Sequence, residues 1–163
     1  MSTKVSVSQP DGFTTGEVVE VFYTGLTQNA TKGSRTAIAT DLVVGSVLME
    51  TNEGFDRGAG NDYTRPFSAG ITAKRPIIVV TEVPPGSKRG GVVRGVKNGV
   101  CRVLTTDASV LVNDGILPID GSFTVADIAA GNRDYSSYGS AMTASADTNL
   151  KFITVNLDQQ SVA

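Results

Sequence analysis

The sequence predicts an all-β, single-domain barrel or sandwich with at most one short helix and an extended N-terminal arm. Two observations carry this: 18 glycines and 6 prolines are spread along 163 residues, and they separate short runs rich in Val, Ile and Thr. A third bounds it. Hydrophobic residues make up 40% and charged ones 18%, so the chain can bury a core without disulfides and is neither disordered nor built to span a membrane.

Residues 1–16 alternate weakly at Val5 and Val7 and then pass through the turn-forming cluster Gln9, Pro10, Asp11, Gly12. They are read as an arm, with the β domain at 17–163. Such an arm is suited to adding a strand to a neighbouring sheet edge, where main-chain hydrogen bonds make few sequence demands. The arm has one lysine and no apolar run, so no export signal is expected.

Residues 17–24 place Val19, Val21 and Tyr23 on one face and Val18, Glu20 and Phe22 on the other, which predicts a strand buried on both sides. Residues 37–50 form a second β region, with Gly45 marking a bulge or turn. Residues 52–63 read as a loop. The β-branched run Ile77, Ile78, Val79, Val80, closed by Pro84, Pro85 and Gly86, predicts a core strand.

Two β-branched runs in 91–105 meet at Asn98-Gly99, a pair suited to a type I′ turn, and predict a hairpin. That register would put Val92, Val96, Cys101 and Val103 on one buried face and Arg102 on the other. Asp114-Gly115 and Asp120-Gly121 mark turns around Ile116 and Ile119. A short helix is expected at 125–130, with Thr124 as its N-cap and Gly131 past its end. The last strand, 150–157, puts Ile153, Val155 and Leu157 on one side.

The chemistry is sparse. There is no histidine, which removes the usual general base, the usual catalytic triads and the commonest metal ligand. Serines and acids are scattered over turns without a spacing that singles out a nucleophile. No catalytic, cofactor-binding or metal-binding residue is assigned, and no enzyme activity is expected.

Cys101 is the single cysteine, so no intrachain disulfide can form, and its place in an apolar run predicts a buried, structural thiol. Gly58-Ala59-Gly60-Asn61-Asp62-Tyr63 begins like a phosphate loop but ends on Tyr63 with no helix pattern after it. Asp56, Asn61 and Asp62 offer oxygen ligands for calcium without EF-hand spacing. Gly86-Ser87-Lys88-Arg89-Gly90-Gly91 lacks the frame of a nucleotide-binding loop. Asn29-Ala30-Thr31 is a formal glycosylation site, discarded without an export signal. A net charge of −2 with no run of either sign, and no tryptophan, argue against nucleic acid as the partner.

A resemblance supplies a more specific expectation. Arg75-Pro76-Ile77-Ile78-Val79-Val80, the run Gly91-Val92-Val93 to Cys101-Arg102-Val103, Gly115-Ile116-Leu117, Tyr138-Gly139-Ser140-Ala141 and the final Phe152-Ile153-Thr154-Val155-Asn156-Leu157 resemble the capsid decoration, or cement, proteins of tailed bacteriophages. The resemblance covers about residues 74–157; 1–73 match it less well. It implies a β-rich domain that binds the outside of an icosahedral head, contacts the major capsid protein, forms a homo-oligomer, often a trimer, and stabilises the shell. It also implies a location on the virion exterior, after assembly from the host cytoplasm.

Two other readings stand beside it. A tail, baseplate or fibre domain would share the same composition. A trimeric β enzyme of nucleotide metabolism, similar to dUTPases, would need a tyrosine after its glycine-flanked aspartate, and none follows near Ile119-Asp120-Gly121-Ser122-Phe123.

Overall fold

A computed structural model describes residues 3–5, 15–27, 35–51, 62–128 and 137–159. The elements are β1 (Thr3–Val5), β2 (Thr15–Tyr23), β3 (Val47–Glu50), β4 (Asp62–Thr64), α1 (Ser68–Thr72), β5 (Ile77–Glu82), β6 (Gly91–Thr105), β7 (Ile116–Pro118), β8 (Val125–Asp127), β9 (Gly139–Ala141) and β10 (Lys151–Leu157). A 3-10 turn at Pro85–Ser87 follows β5 where the proline cluster stands.

Five strands close on themselves. β2 pairs with β4, β4 with β3, β3 with β5, β5 with β6, and β6 returns to β2. The result is a closed five-stranded barrel in an all-β chain. Closure gives the central strands of the ring partners on both sides and so satisfies backbone groups an open sheet would expose.

The strands of the ring are apolar on both faces because each face meets a different core. Val19, Val21, Tyr23, Leu48, Tyr63, Ile78, Val80 and Val93 form one cluster, drawn from all five ring strands, which fills the lumen. The alternate residues Val18, Val47, Met49, Ile77, Val79 and Val96 face outward into a second cluster with Cys101, Val103, Ile116, Val125, Tyr138, Ile153, Val155 and Leu157. β7 to β10 and the far end of β6 therefore form a second layer laid on the barrel wall. β10 pairs along β6 from Leu157↔Gly99 to Lys151↔Thr105, and β9 pairs with β10.

The two-sided strand predicted at 17–24 is present, with its faces divided as the alternation requires. The run Ile77 to Val80 is fully buried in β5, and Ile153, Val155 and Leu157 are buried on one side of β10. Of the predicted arm, Thr3–Val5 pairs antiparallel with β2 of the same chain, through Thr3↔Glu20 and Val5↔Val18.

Four expectations are corrected. Residues 91–105 are not a hairpin but one 15-residue strand that spans both layers. Glycine is needed on both sides of the crossing with β2: a Cβ on Gly16 would stand 2.8 Å from the Cα of its partner Gly99, and Gly99 itself has a φ of 116°. A bulge lies beside it, since Glu17 pairs with Asn98 but Val18 pairs with Val96. The extra residue shifts the side-chain parity, so Val96, Cys101 and Val103 share one core although they do not alternate. Val92 lies beyond the second layer and is exposed.

The helix expected at 125–130 is replaced, over the described residues, by β8. Val125 pairs with Thr105 of β6, β8 pairs with β7, and the Asp127 N–H donates to Asp107 Oδ2 at 2.9 Å. Tertiary pairing outweighs a short run of weak helical propensity. The helix that does form, α1, is capped from a distance: Ser68 N–H donates to Asp120 Oδ1 at 3.0 Å.

The loop predicted at 52–63 gives way to strand at its end, where Asp62 and Tyr63 belong to β4 and are buried. Within 37–50 only Val47–Glu50 is strand, preceded by a turn at Gly45, whose φ of 92° requires glycine.

Candidate functional site

Of the residues weighed for chemistry, those that are described belong to the framework, while 29–31 and 56–61 lie outside the described residues. Cys101 is 0% exposed among the valines of the outer core, and Arg102 points away from it, with its guanidinium 4.9 Å from the Phe152 ring centroid. Asp56 and Asn61 lie outside the described residues, while Asp62 pairs with Phe22 inside the barrel sheet. The 86–91 segment turns through the 3-10 helix into β6, with Arg89 paired to Asp41. Among the described residues no cluster of three or more Cys, Asp or Glu groups is placed to hold a metal ion.

Burial also silences the tyrosines. It pushes the Tyr23 phenol up to about 12, against the opposing pull of Arg65 and Arg89, and raises Tyr63 and Tyr138 as well. All three phenols therefore stay protonated at neutral pH.

One acid pair stands out. Asp107 Oδ1 accepts hydrogen bonds from Ser109 N–H at 2.8 Å and Ser109 Oγ at 2.7 Å, and its Oδ2 accepts from Asp127 N–H. A hydrogen bond shared with Asp107, then burial and the Asp107 charge, raise the Asp127 carboxyl to about 6. Burial raises Asp107 too, but the hydrogen bonds from Asp127 and Ser109 outweigh it and hold that carboxyl below the usual range. Together with Ser109, whose hydroxyl also lies 3.4 Å from Asp127 Oδ1, the pair ties the 106–109 turn to β8.

The surface offers more than the interior. The outward face of β10 carries Phe152, Thr154 and Asn156, with Leu150 in the same alternation just before the strand. Leu150 is 59% and Phe152 43% exposed. The Gly45 turn abuts this face, because a Cβ on Gly45 would lie 2.4 Å from Phe152 Cε1 and 3.1 Å from Leu104 Cγ. That contact sets the exposed Val43 and Val44 beside Phe152. On the other flank Met142 N–H donates to Thr154 O at 2.8 Å, which places the exposed Met142 next to β10. The exposed apolar residues Val43, Val44, Met142 and Leu150 thus lie on segments that flank Phe152, whose ring also carries the Arg102 guanidinium. Half-exposed apolar groups collected on a stiff face mark an interaction surface better than the same groups scattered singly.

Sequence reasoning assigned the buried side of this strand and passed over the exposed one. The signal was present: Phe152 is a large aromatic at the solvent position of an alternating strand.

Comparison with protein-family models, curated proteins and solved structures finds no match to the chain.

Proposed function

We propose that this protein is a structural virion component, a decoration subunit that binds the outside of a bacteriophage capsid as a homo-oligomer, a trimer in the simplest case, and stabilises the shell. The observation that carries the reading is the apolar face around Phe152 and Leu150, set on a closed barrel. The motifs that resemble the cement proteins agree with it, and β10 with its exposed Phe152 is one of them.

Magnitudes favour a multivalent arrangement. Covering five half-exposed apolar side chains contributes roughly 4–7 kcal/mol, at about half the value of full burial for each. Association costs about 4–15 kcal/mol in lost freedom, so one such contact is weak by itself. Joining several through a symmetric oligomer raises avidity by about 10²- to 10⁴-fold without any new contact type. A shell presents the repeated, fixed sites that such avidity requires.

Sedimentation of the purified protein, alone and with emptied, expanded phage capsids, tests the reading. The expected result is a symmetric oligomer that co-sediments with the shell. A stable monomer that never co-sediments would sink the decoration reading and move the tail or fibre alternative ahead.

A further inference from the structure

Beyond the apolar end of β10, the same outer face continues as a polar groove of about 490 Å³, within the size range of small-molecule sites. Ser140 and Asn156 are cross-strand partners on β9 and β10, so their side chains stand together on its floor. Asp158 follows two residues after Asn156. Lys74, Asn113 and Ser137 form the facing wall.

The groove is shaped by close backbone packing. A Cβ on Gly139 would lie 2.1 Å from Asn156 O, and one on Gly115 would lie 2.9 Å from Ile128 Cδ1 and 3.0 Å from Ser137 Cβ. Glycine at both positions leaves a floor lined by main chain. Lys74 and Asn113, with φ of 52° and 75°, are the two non-glycine residues in the left-handed region among the described residues, and both line this groove. Such conformations cost free energy and are kept where surrounding structure imposes them. Lys74 is further fixed by Tyr138: its Nζ lies 5.8 Å from the ring centroid, and Tyr138 is itself anchored by its O–H donating to Arg75 O at 2.8 Å.

Among the described residues, none of the six polar side chains of the groove forms a hydrogen bond or ion pair with another group, the ring contact of Lys74 aside. Two carboxamides, two hydroxyls, one ammonium and one carboxylate therefore offer donors and acceptors together, with no net formal charge. That balance selects among ligands. A phosphate would face Asp158 with only one cation in support, and a metal ion would find one carboxylate. A peptide cannot add as a strand, because β9 is paired with β10 on one side and bridged through Gly115↔Ser140 on the other. A ligand whose own groups both donate and accept, at close spacing, uses the whole set.

We propose that this groove binds a neutral carbohydrate, a hexopyranoside whose vicinal hydroxyls are taken by Asn113, Asn156 and Asp158 and by the hydroxyls of Ser137 and Ser140. The inference does not rest on the capsid reading, since every described residue that lines the groove belongs to one chain. A protein that fails to bind shells would still be expected to bind the sugar.

The test is amide NMR of the full chain, with the methyl glycosides of glucose, mannose and galactose each titrated to about 50 mM, because millimolar affinity corresponds to only about 4 kcal/mol. At least one glycoside is expected to move the amides of Gly115, Gly139, Ser140 and Asn156. Asn113→Gly suits the positive φ and removes the carboxamide, and Asn156→Ala removes the second; each is expected to weaken binding tenfold or more. Sodium phosphate at the same concentration is expected to leave these amides in place. No shift with any of the three glycosides, shifts with phosphate instead, or glycoside affinity unchanged in both variants would overturn the proposal.

Discussion

The side chain of Gln159 acts as one residue of strand for Ile77, 82 positions earlier: Ile77 N–H donates to Gln159 Oε1 at 2.8 Å, and Gln159 Nε2 donates back to Ile77 O at 2.8 Å. The same Nε2 reaches Lys97 O, and the Gln159 N–H donates to Asn98 Oδ1 at 2.7 Å. One carboxamide, 3% exposed, thus fastens the end of the second layer to β5 and β6 of the barrel. Gln159→Leu keeps the bulk but takes this partner from two buried backbone groups of Ile77 and from the half-buried Lys97 O. The expected cost is about 2–4 kcal/mol, read as a drop in Tm at roughly 2–4 °C per kcal/mol for a chain of this size. An unchanged Tm would show that the latch is not formed in solution.

Cys101 is fully buried between Val96 and Val103 in the outer core. Cys101→Ala removes one small sulfur-bearing group and is expected to cost roughly 1 kcal/mol. Cys101→Asp places a carboxylate in the same apolar surroundings and is expected to prevent folding at neutral pH. Thiol labelling of the native protein checks the same point: it should proceed only at the rate of unfolding.

The Asp107–Asp127 pair sets a pH dependence. Asp127 titrates near 6 in the folded chain, above the ordinary carboxylate value of 3.8, so between these two the folded state holds the extra proton. Its contribution to stability is full below the ordinary value and is lost as pH rises through about 6. Asp107 is shifted down, so its contribution is present above the ordinary carboxylate range and is lost as pH falls below it. From about pH 5 to 7 the Asp127 effect acts alone within this pair. Thermal melts over that range should show Asp127→Asn losing less stability with rising pH than the parent chain does. Parallel curves for the two proteins would contradict the assignment.

What was legible in the sequence was periodicity that a single strand could display. The alternation in β2, the unbroken run in β5 and the one-sided pattern of β10 each follow from a chain segment meeting apolar surroundings on two faces or on one. What failed was local chemistry used for a distant purpose. Asn98-Gly99 looks like a turn, yet Asn98 spends its carboxamide on Glu17 Oε2 at 3.2 Å and on the Gln159 N–H, while Gly99 admits the close approach of β2. Thr124 looks like a helix cap, but its hydroxyl pairs with Ser122 Oγ at 2.8 Å in the turn before β8. The polar groove was invisible for the same reason: Lys74, Asn113 and Asn156 are brought together only by the pairing of β9 with β10 and by two left-handed residues that no pattern announces.

The apolar face gives the last prediction. Phe152→Asp puts a charge at the centre of the proposed contact, where covering it without a partner would cost several kcal/mol. Shell binding is expected to weaken by at least a hundredfold. Phe152 also touches the Gly45 turn and Arg102, so loss of binding through local misfolding must be separated from loss of the contact itself. Leu150→Asp serves that purpose: Leu150 is 59% exposed and lies just outside β10, so the fold should tolerate the charge within about 0.5 kcal/mol. Both variants should keep the parent circular dichroism spectrum, and Leu150→Asp should keep its Tm as well. If the proposed surface is correct, both fail to co-sediment with expanded capsids at concentrations where the parent chain saturates them. If both bind as the parent does, the face around Phe152 is not the contact, and the exposed Leu111 and Val112 on the turn between β6 and β7 become the next candidate.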